Sequence, residues 1–191
     1  MNFDRSIYEL GLDKEFRTER LGCVMLETTS PVDETKIDSV FRENAYFTEN
    51  PAYPHVAGIV PDHHITVHYG FLPEVTTEHM AKVIQGWGLF DRRVLGMTLP
   101  ISFAEVFPSS VPGEDYECVV ARVDPLWMLM ELREQVRVLP NLMTFPYKPH
   151  VTVGYFNKGF WTEYGASHWP IHSRVTVTGL KLSAAKVLVD A

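Results

Sequence analysis

The feature that most constrains this chain is a short strand-like pattern that occurs twice. His64-Ile65-Thr66-Val67-His68-Tyr69 and His150-Val151-Thr152-Val153-Gly154-Tyr155 share His, a β-branched residue, Thr, Val and Tyr in the same order, 86 residues apart. Alternation rich in β-branched and aromatic residues suits an extended strand, whose successive side chains face opposite ways. His and Thr therefore share a face in each copy. They lie roughly 6.6 Å apart along the strand, so both tips can reach one phosphate. Two such strands make a four-point clamp, and the fold has to bring them together.

The surrounding elements repeat as well. The first series begins with a strand over 21–28 and a helix opened by Ser30-Pro31, with Val32, Ile37, Val40 and Phe41 along it. The first His-Thr strand over 63–72 follows, then a helix over 76–87 with Met80, Val83, Ile84 and Trp87 as its buried stripe, and a strand over 98–107. Pro108-Ser109-Ser110-Val111-Pro112-Gly113 breaks the chain. The order then restarts with a strand over 116–123 and a helix capped by Asp124-Pro125, running to about 138 and carrying Leu126, Leu129, Met130, Arg133 and Val136. The second His-Thr strand, a helical or irregular piece at 160–165 and a β-rich stretch over 174–189 complete it.

The order β, α, His-Thr strand, α, β, met twice, predicts an α+β fold of two similar lobes around a pseudo-two-fold axis. Antiparallel sheets would line a central cleft with helices outside, and His64 and His150 would face each other from opposite walls. The expected organisation is one bilobal domain: an N-terminal arm over 1–20, a first repeat over about 21–107 and a second over about 115–191. The Pro- and aromatic-rich stretch at 43–62 reads as a long loop. It is either a substrate-side lid or a segment that its aromatic residues pin to the core.

Composition narrows the partners. No apolar run is long enough to span a bilayer, which predicts a soluble, cytoplasmic protein that does not act at a membrane. A formal net charge of −7 opposes a broad footprint on duplex DNA or long RNA, whose affinity rests on Lys and Arg contacts to phosphates. A small nucleotide in a shaped pocket, or a short RNA, remains compatible. Cys23 and Cys118 form neither a zinc pattern nor a disulfide framework and read as reduced core residues.

Phosphoryl transfer from a ribose needs a base for the attacking hydroxyl, an acid for the leaving oxygen, and donors for the non-bridging oxygens. Two histidines and two threonines supply these without a metal or other cofactor, because imidazole titrates at about pH 6.5 and can serve in either form. A zinc site among His55, His63, His64 and His68 is the rival. On a strand, however, His63 points away from His64, and His64 lies about 13 Å from His68, too far to share one ion. His68 is expected on the clamp face as a substrate contact, with Gly154 in the second copy leaving room for a base or ribose. Lys148 should share the face of His150 and support the phosphate. Tyr69 and Tyr155 fall on the opposite face as core residues if the strands are regular, and His63 reads as a bystander.

At these residues the chain resembles the 2H phosphoesterase superfamily, defined by two His-x-Thr/Ser motifs in a two-lobed α+β fold. His64-x-Thr66-x-x-Tyr69-Gly70, the helix ending in Leu139-Pro140-Asn141, and Tyr147-x-Pro149-His150-Val151-Thr152-x-x-Tyr155-x-x-x-Gly159 are similar to phage anti-CBASS nucleases, which degrade cyclic nucleotide messengers of bacterial immunity. The resemblance spans about residues 60–165. It implies a catalytic pair, His64 and His150, with Thr66 and Thr152 as phosphate ligands. The implied reaction is metal-independent cleavage of a 3′–5′ phosphodiester in an adenosine-containing cyclic oligonucleotide through attack by the neighbouring 2′-hydroxyl. Which histidine is base and which is acid stays open. The 43–62 loop, the Ser109-Ser110-Val111-Pro112-Gly113 insert and the 161–169 segment have no counterpart, and Tyr53, Tyr147 and Trp169 are candidates for base stacking. Two other functions fit the residues: opening of 2′,3′-cyclic phosphates on RNA, and a non-catalytic module that binds a cyclic nucleotide without cutting it.

Overall fold

A computed structural model describes residues 18–51, 53, 55–109, 111, 113–142, 146–165 and 170–187. Most of the expected N-terminal arm and the base-stacking candidate Trp169 lie outside the described residues. The strands are β1 (Thr18–Arg20), β2 (Gly22–Thr28), β3 (His64–Phe71), β4 (Thr98–Pro108), β5 (Tyr116–Val123), β6 (His150–Asn157), β7 (Arg174–Ser183) and β8 (Lys186–Val187). The α-helices are α1 (Ser39–Glu43), α2 (Thr77–Trp87) and α3 (Trp127–Val136), joined by a 3-10 turn at Glu34–Lys36 and π turns at Phe90–Val94 and Trp161–Gly165.

The result is a mixed α+β fold in which antiparallel strands are flanked by helices. Strands β2-β3-β6-β5-β4-β7 close into a barrel in that order, and β1 and β8 form a separate pair. β4, which follows α2, pairs with β5, while β7 returns to pair with β2. The triplets β7-β2-β3 and β4-β5-β6 then meet along two seams, β3 against β6 and β4 against β7.

Burial separates the two faces of these strands. Val24, Leu26, Ile65, Val67, Val151 and Val177 turn towards α2 and α3, where they meet Met80, Ile84, Leu129, Leu132 and Val136 in the larger core. Val119, Ala121 and Val153 belong to a second core with Phe41 of α1 and with Phe160 and Trp161 at the later π turn. Each fully buried aliphatic or Phe side chain contributes about 1.5–3 kcal/mol. With both helical layers on that side, the opposite strand faces look away from the helices, and the His-Thr residues lie there.

Local chemistry explains where the helices start. Thr76 caps α2 by accepting from the His79 amide, His79 accepts from the Thr76 amide, and Gly88 ends the helix at φ 71°. Two expected caps are corrected. Ser30 does not open a helix: its hydroxyl accepts from the Val32 amide, and Val32 is drawn into a bridge with Ile171. Asp33 and Asp38 cap the short turns that follow. Asp124 does not cap α3, because its carboxylate accepts from the Ser102 hydroxyl and the helix begins after Leu126 with no side-chain cap. Among the described residues, no helix is long and apolar enough to cross a membrane.

Candidate functional site

β3 and β6 pair antiparallel with Ile65 opposite Val151. One residue to either side, His64 lies across from Thr152 and Thr66 across from His150, on the face away from the core. Directly opposed Cβ atoms in such a pair are about 4.5–5.5 Å apart. The four side chains therefore form a square in which each histidine faces the other copy's threonine. The histidines were expected on opposite walls; they stand instead on neighbouring strands of one seam.

The two rings are oriented by the same local bond. His64 Nδ1 donates to the Asp62 carbonyl at 3.2 Å, and His150 Nδ1 donates to the Lys148 carbonyl at 2.8 Å. A carbonyl only accepts, so Nδ1 carries the hydrogen and Nε2 of the neutral ring keeps its lone pair. Burial lowers the His150 pKa, and the Arg122 cation and His64 push in the same direction.

Both strands then break their alternation at the same place. β3 holds one extra residue where Met25 pairs with Thr66 and Val24 with His68. β6 does the same where Val120 pairs with Thr152 and Val119 with Gly154. These β-bulges fall at Val67 and Val153 and exchange the faces of the residues beyond.

Three expectations are corrected by the bulges. His68 leaves the clamp face for the core: it is 3% exposed, its ring lies 4.7 Å from that of Phe71, and it hydrogen-bonds to the Asn141 side chain. Burial drives its pKa down to about 4, so it is a neutral core residue. At Gly154 there is no room for a base or ribose, because a Cβ would sit 2.9 Å from the Gly58 carbonyl oxygen and 3.1 Å from Ile59 Cα. Tyr69 and Tyr155 pair with Cys23 and Cys118 and so return to the face of the histidines and threonines, where Tyr69 is exposed while Tyr155 still packs on the core cluster of Val56, Val111 and Tyr116.

The remaining candidates disperse. Tyr147 packs on the larger core with the Arg133 guanidinium 4.7 Å from its ring centre, which leaves it poorly placed to stack on a base. Tyr53 belongs to a third cluster with Val56, Val111 and Tyr116. The 44–60 segment is not a free lid: Tyr46 N donates to Tyr155 O, Tyr155 N to Gly58 O and Val60 N to Val153 O, which pins it along β6. Lys148 offers its backbone carbonyl to the site, while the residue itself is exposed. His63 stands just before β3, where its half-buried ring lies beside the Thr152 backbone of β6.

Several residues of the site carry no mark in the sequence. Arg122 is the β5 partner of His150, and Phe103 and Glu105 of β4 pair with Arg122 and Val120. Phe107 meets the His150 ring edge-on at 5.1 Å between centres. On the other side Glu27 is the β2 partner of His64 and pairs in turn with Gly179, where any Cβ would collide with the Glu27 carboxylate. Only strand register could have found them, since they lie far from either motif in sequence. Among the described residues, no group of three or more His, Cys, Asp or Glu side chains is placed to share a metal ion. A pocket lined by Thr98, Pro100, Ser173 and Arg174 lies at the other seam, between β4 and β7, and holds none of these groups.

Chemically, the square offers two imidazole Nε2 atoms and two hydroxyls on one face of the β3-β6 seam, with Arg122 on β5 and Glu27 on β2 as charged cross-strand neighbours. No protein-family model matches the chain, and no curated protein matches it.

Proposed function

We propose that the chain is a phosphodiesterase of the 2H type that cleaves 3′–5′ bonds in small cyclic oligonucleotides. The observation that carries this reading is the cross-strand square, in which His64 faces Thr152 and His150 faces Thr66 across the Ile65–Val151 pair. A tetrahedral phosphate held by the two hydroxyls has an imidazole on either side of it. The ribose O2′ gives its proton to one Nε2 and bonds to phosphorus, the P–O5′ bond breaks, and O5′ takes a proton from the other ring. Net charge and proton count are conserved, and no metal is needed.

The finer fold assignment belongs to the same proposal. β2-α1-β3-α2-β4 and β5-α3-β6-π turn-β7 are two copies of one unit, each giving its last strand to the other's sheet. The shared bulges at Val67 and Val153 and the shared Nδ1-to-carbonyl bonds support that duplication. The formal net charge of −7 favours a small ligand over folded RNA.

The test is incubation in EDTA with cyclic di- and trinucleotides, beside an oligoribonucleotide ending in a 2′,3′-cyclic phosphate, with products resolved by chromatography and mass. Cleavage of a cyclic nucleotide that persists in EDTA and disappears in His64→Ala and His150→Ala is expected. Opening of the RNA terminus alone moves the substrate to RNA, and recovery of every nucleotide intact replaces the enzyme with a binding module.

A further inference from the structure

The two histidines share their backbone setting but not their neighbours. Arg122 stands directly across from His150 on β5, with its side chain only 13% exposed. Its Nη1 donates to the Lys148 carbonyl at 3.0 Å, the same oxygen that accepts from His150 Nδ1 at 2.8 Å. Its Nε lies 3.5 Å from Glu105 Oε2 on β4, which braces the guanidinium from the far side. The position matching Arg122 beside His64 is Glu27, an opposite charge. The carbonyl that holds His64 belongs to Asp62, whose carboxylate is bound by Lys181.

We propose that Arg122 is a positioning residue that fixes His150 as the general base and leaves His64 as the general acid. This rests on the phosphodiesterase reading. With one oxygen accepting from both Arg122 and His150, the Nδ1–H tautomer is locked and Nε2 is presented as a lone pair. A proton added at Nε2 would place a second positive charge beside the guanidinium, in a spot that Phe107 covers on one side. The other ring has a different setting: its β2 neighbour is Glu27, whose carboxylate lies against Gly179, and Asp62 just before β3 is paired with Lys181. The charged groups facing His150 are Arg122 from β5, Glu105 from β4 and His64 from β3.

The sign follows from the role. A base works when deprotonated, so activity falls as pH drops through the pKa of His150, and Arg122 extends activity to lower pH by holding that pKa down. Arg122→Gln is expected to raise the His150 titration, read from ring nitrogen NMR between about pH 4 and about pH 9, by about 0.5 to 1 pH unit. Glu105→Gln, which removes the opposing charge and leaves Arg122 in place, is expected to lower it. The acidic limb of the kcat/KM profile should move with the NMR value in both variants. The opposite signs separate an electrostatic role from a structural one, and Glu105→Gln keeps the proposal open to refutation if Arg122→Gln does not fold. Movement of the alkaline limb would reverse the assignment. A titration that stays put while KM alone rises would make Arg122 a phosphate ligand and overturn the proposal with the enzyme reading intact. Absence of turnover in the wild-type protein would overturn both.

Discussion

Strands β3 and β6 are the same device set in two different surroundings. Each presents His, Thr and Tyr on one face by means of a bulge at the Val, and each turns its imidazole with a backbone carbonyl two residues earlier. Around them the resemblance fails. Beside β3 stand Glu27 and Gly179; beside β6 stand Arg122, Glu105, Phe103 and Phe107. Tyr155 lies under the 44–60 segment against Tyr116, with ring centres 5.6 Å apart, whereas Tyr69 is 37% exposed. The local pattern sets the geometry of the clamp, and the neighbouring strands decide what each half of it does.

The largest expected effect tests whether the two strands are equals in chemistry. His64→Ala and His150→Ala should each lower kcat by about 10²- to 10⁴-fold. If the strands differ in role, each variant should also lose a different limb of the pH–rate profile, the acidic one in His150→Ala and the alkaline one in His64→Ala. A variant that keeps wild-type turnover would remove its histidine from the mechanism.

The position just beyond each bulge sharpens the contrast, since it holds His68 in β3 and Gly154 in β6. His68 has its pKa lowered from 6.5 to about 4 by burial. The unfolded chain therefore binds a proton that the native protein refuses, so stability is lost as pH falls from about 6.5 to about 4, by up to about 3 kcal/mol. Denaturant midpoints of the wild type should fall across that window, while those of His68→Leu should flatten. Parallel curves would show that His68 is not the group responsible. Gly154→Ala should cost about 1–3 kcal/mol at any pH, because the added carbon meets backbone at Gly58 and Ile59 that cannot rotate out of the way. A neutral result would mean that the 57–60 segment yields easily.

What was legible in the sequence follows the same division. The strands, α2, α3 and the presence of two matching His-x-Thr motifs could be read because strand propensity, helical stripes and motif repetition are local signals. The faces beyond Val67 and Val153 could not, since a bulge inverts the alternation that assigns them, and nothing in Val-His-Tyr or Val-Gly-Tyr announces one. His68, Tyr69 and Tyr155 were misplaced for that single reason. Arg122 and Glu105 were missed for another: their relation to His150 exists only through the β4-β5-β6 register. The caps at Ser30 and Asp124 failed because tertiary partners intervened: a bridge to Ile171 holds Val32 out of a helix, and the Ser102 hydroxyl binds the Asp124 carboxylate.

The smallest effects concern the element that follows each His-Thr strand. After β3, α2 carries its own cap in Thr76 and His79. After β6 the Trp161–Gly165 turn has a cap from outside: Glu117 of β5, 7% exposed, accepts from the Trp161 amide at 2.7 Å and from the Thr162 hydroxyl at 2.9 Å. In β2 the residue matching Glu117 is Gly22, so the first unit has no such carboxylate. Removing an acceptor from a buried amide costs about 1–3 kcal/mol, against about 1 kcal/mol for a helix N-cap whose amides water can reach. Glu117→Ala should therefore lower the unfolding midpoint more than Thr76→Ala, and Glu117→Gln, which keeps one acceptor oxygen, should fall between them and the wild type. If Glu117→Ala proves no worse than Thr76→Ala, the turn is held by the packing of Phe160 and Trp161 around Phe41, whose ring centres lie 5.3 and 6.3 Å from theirs, and the carboxylate merely follows.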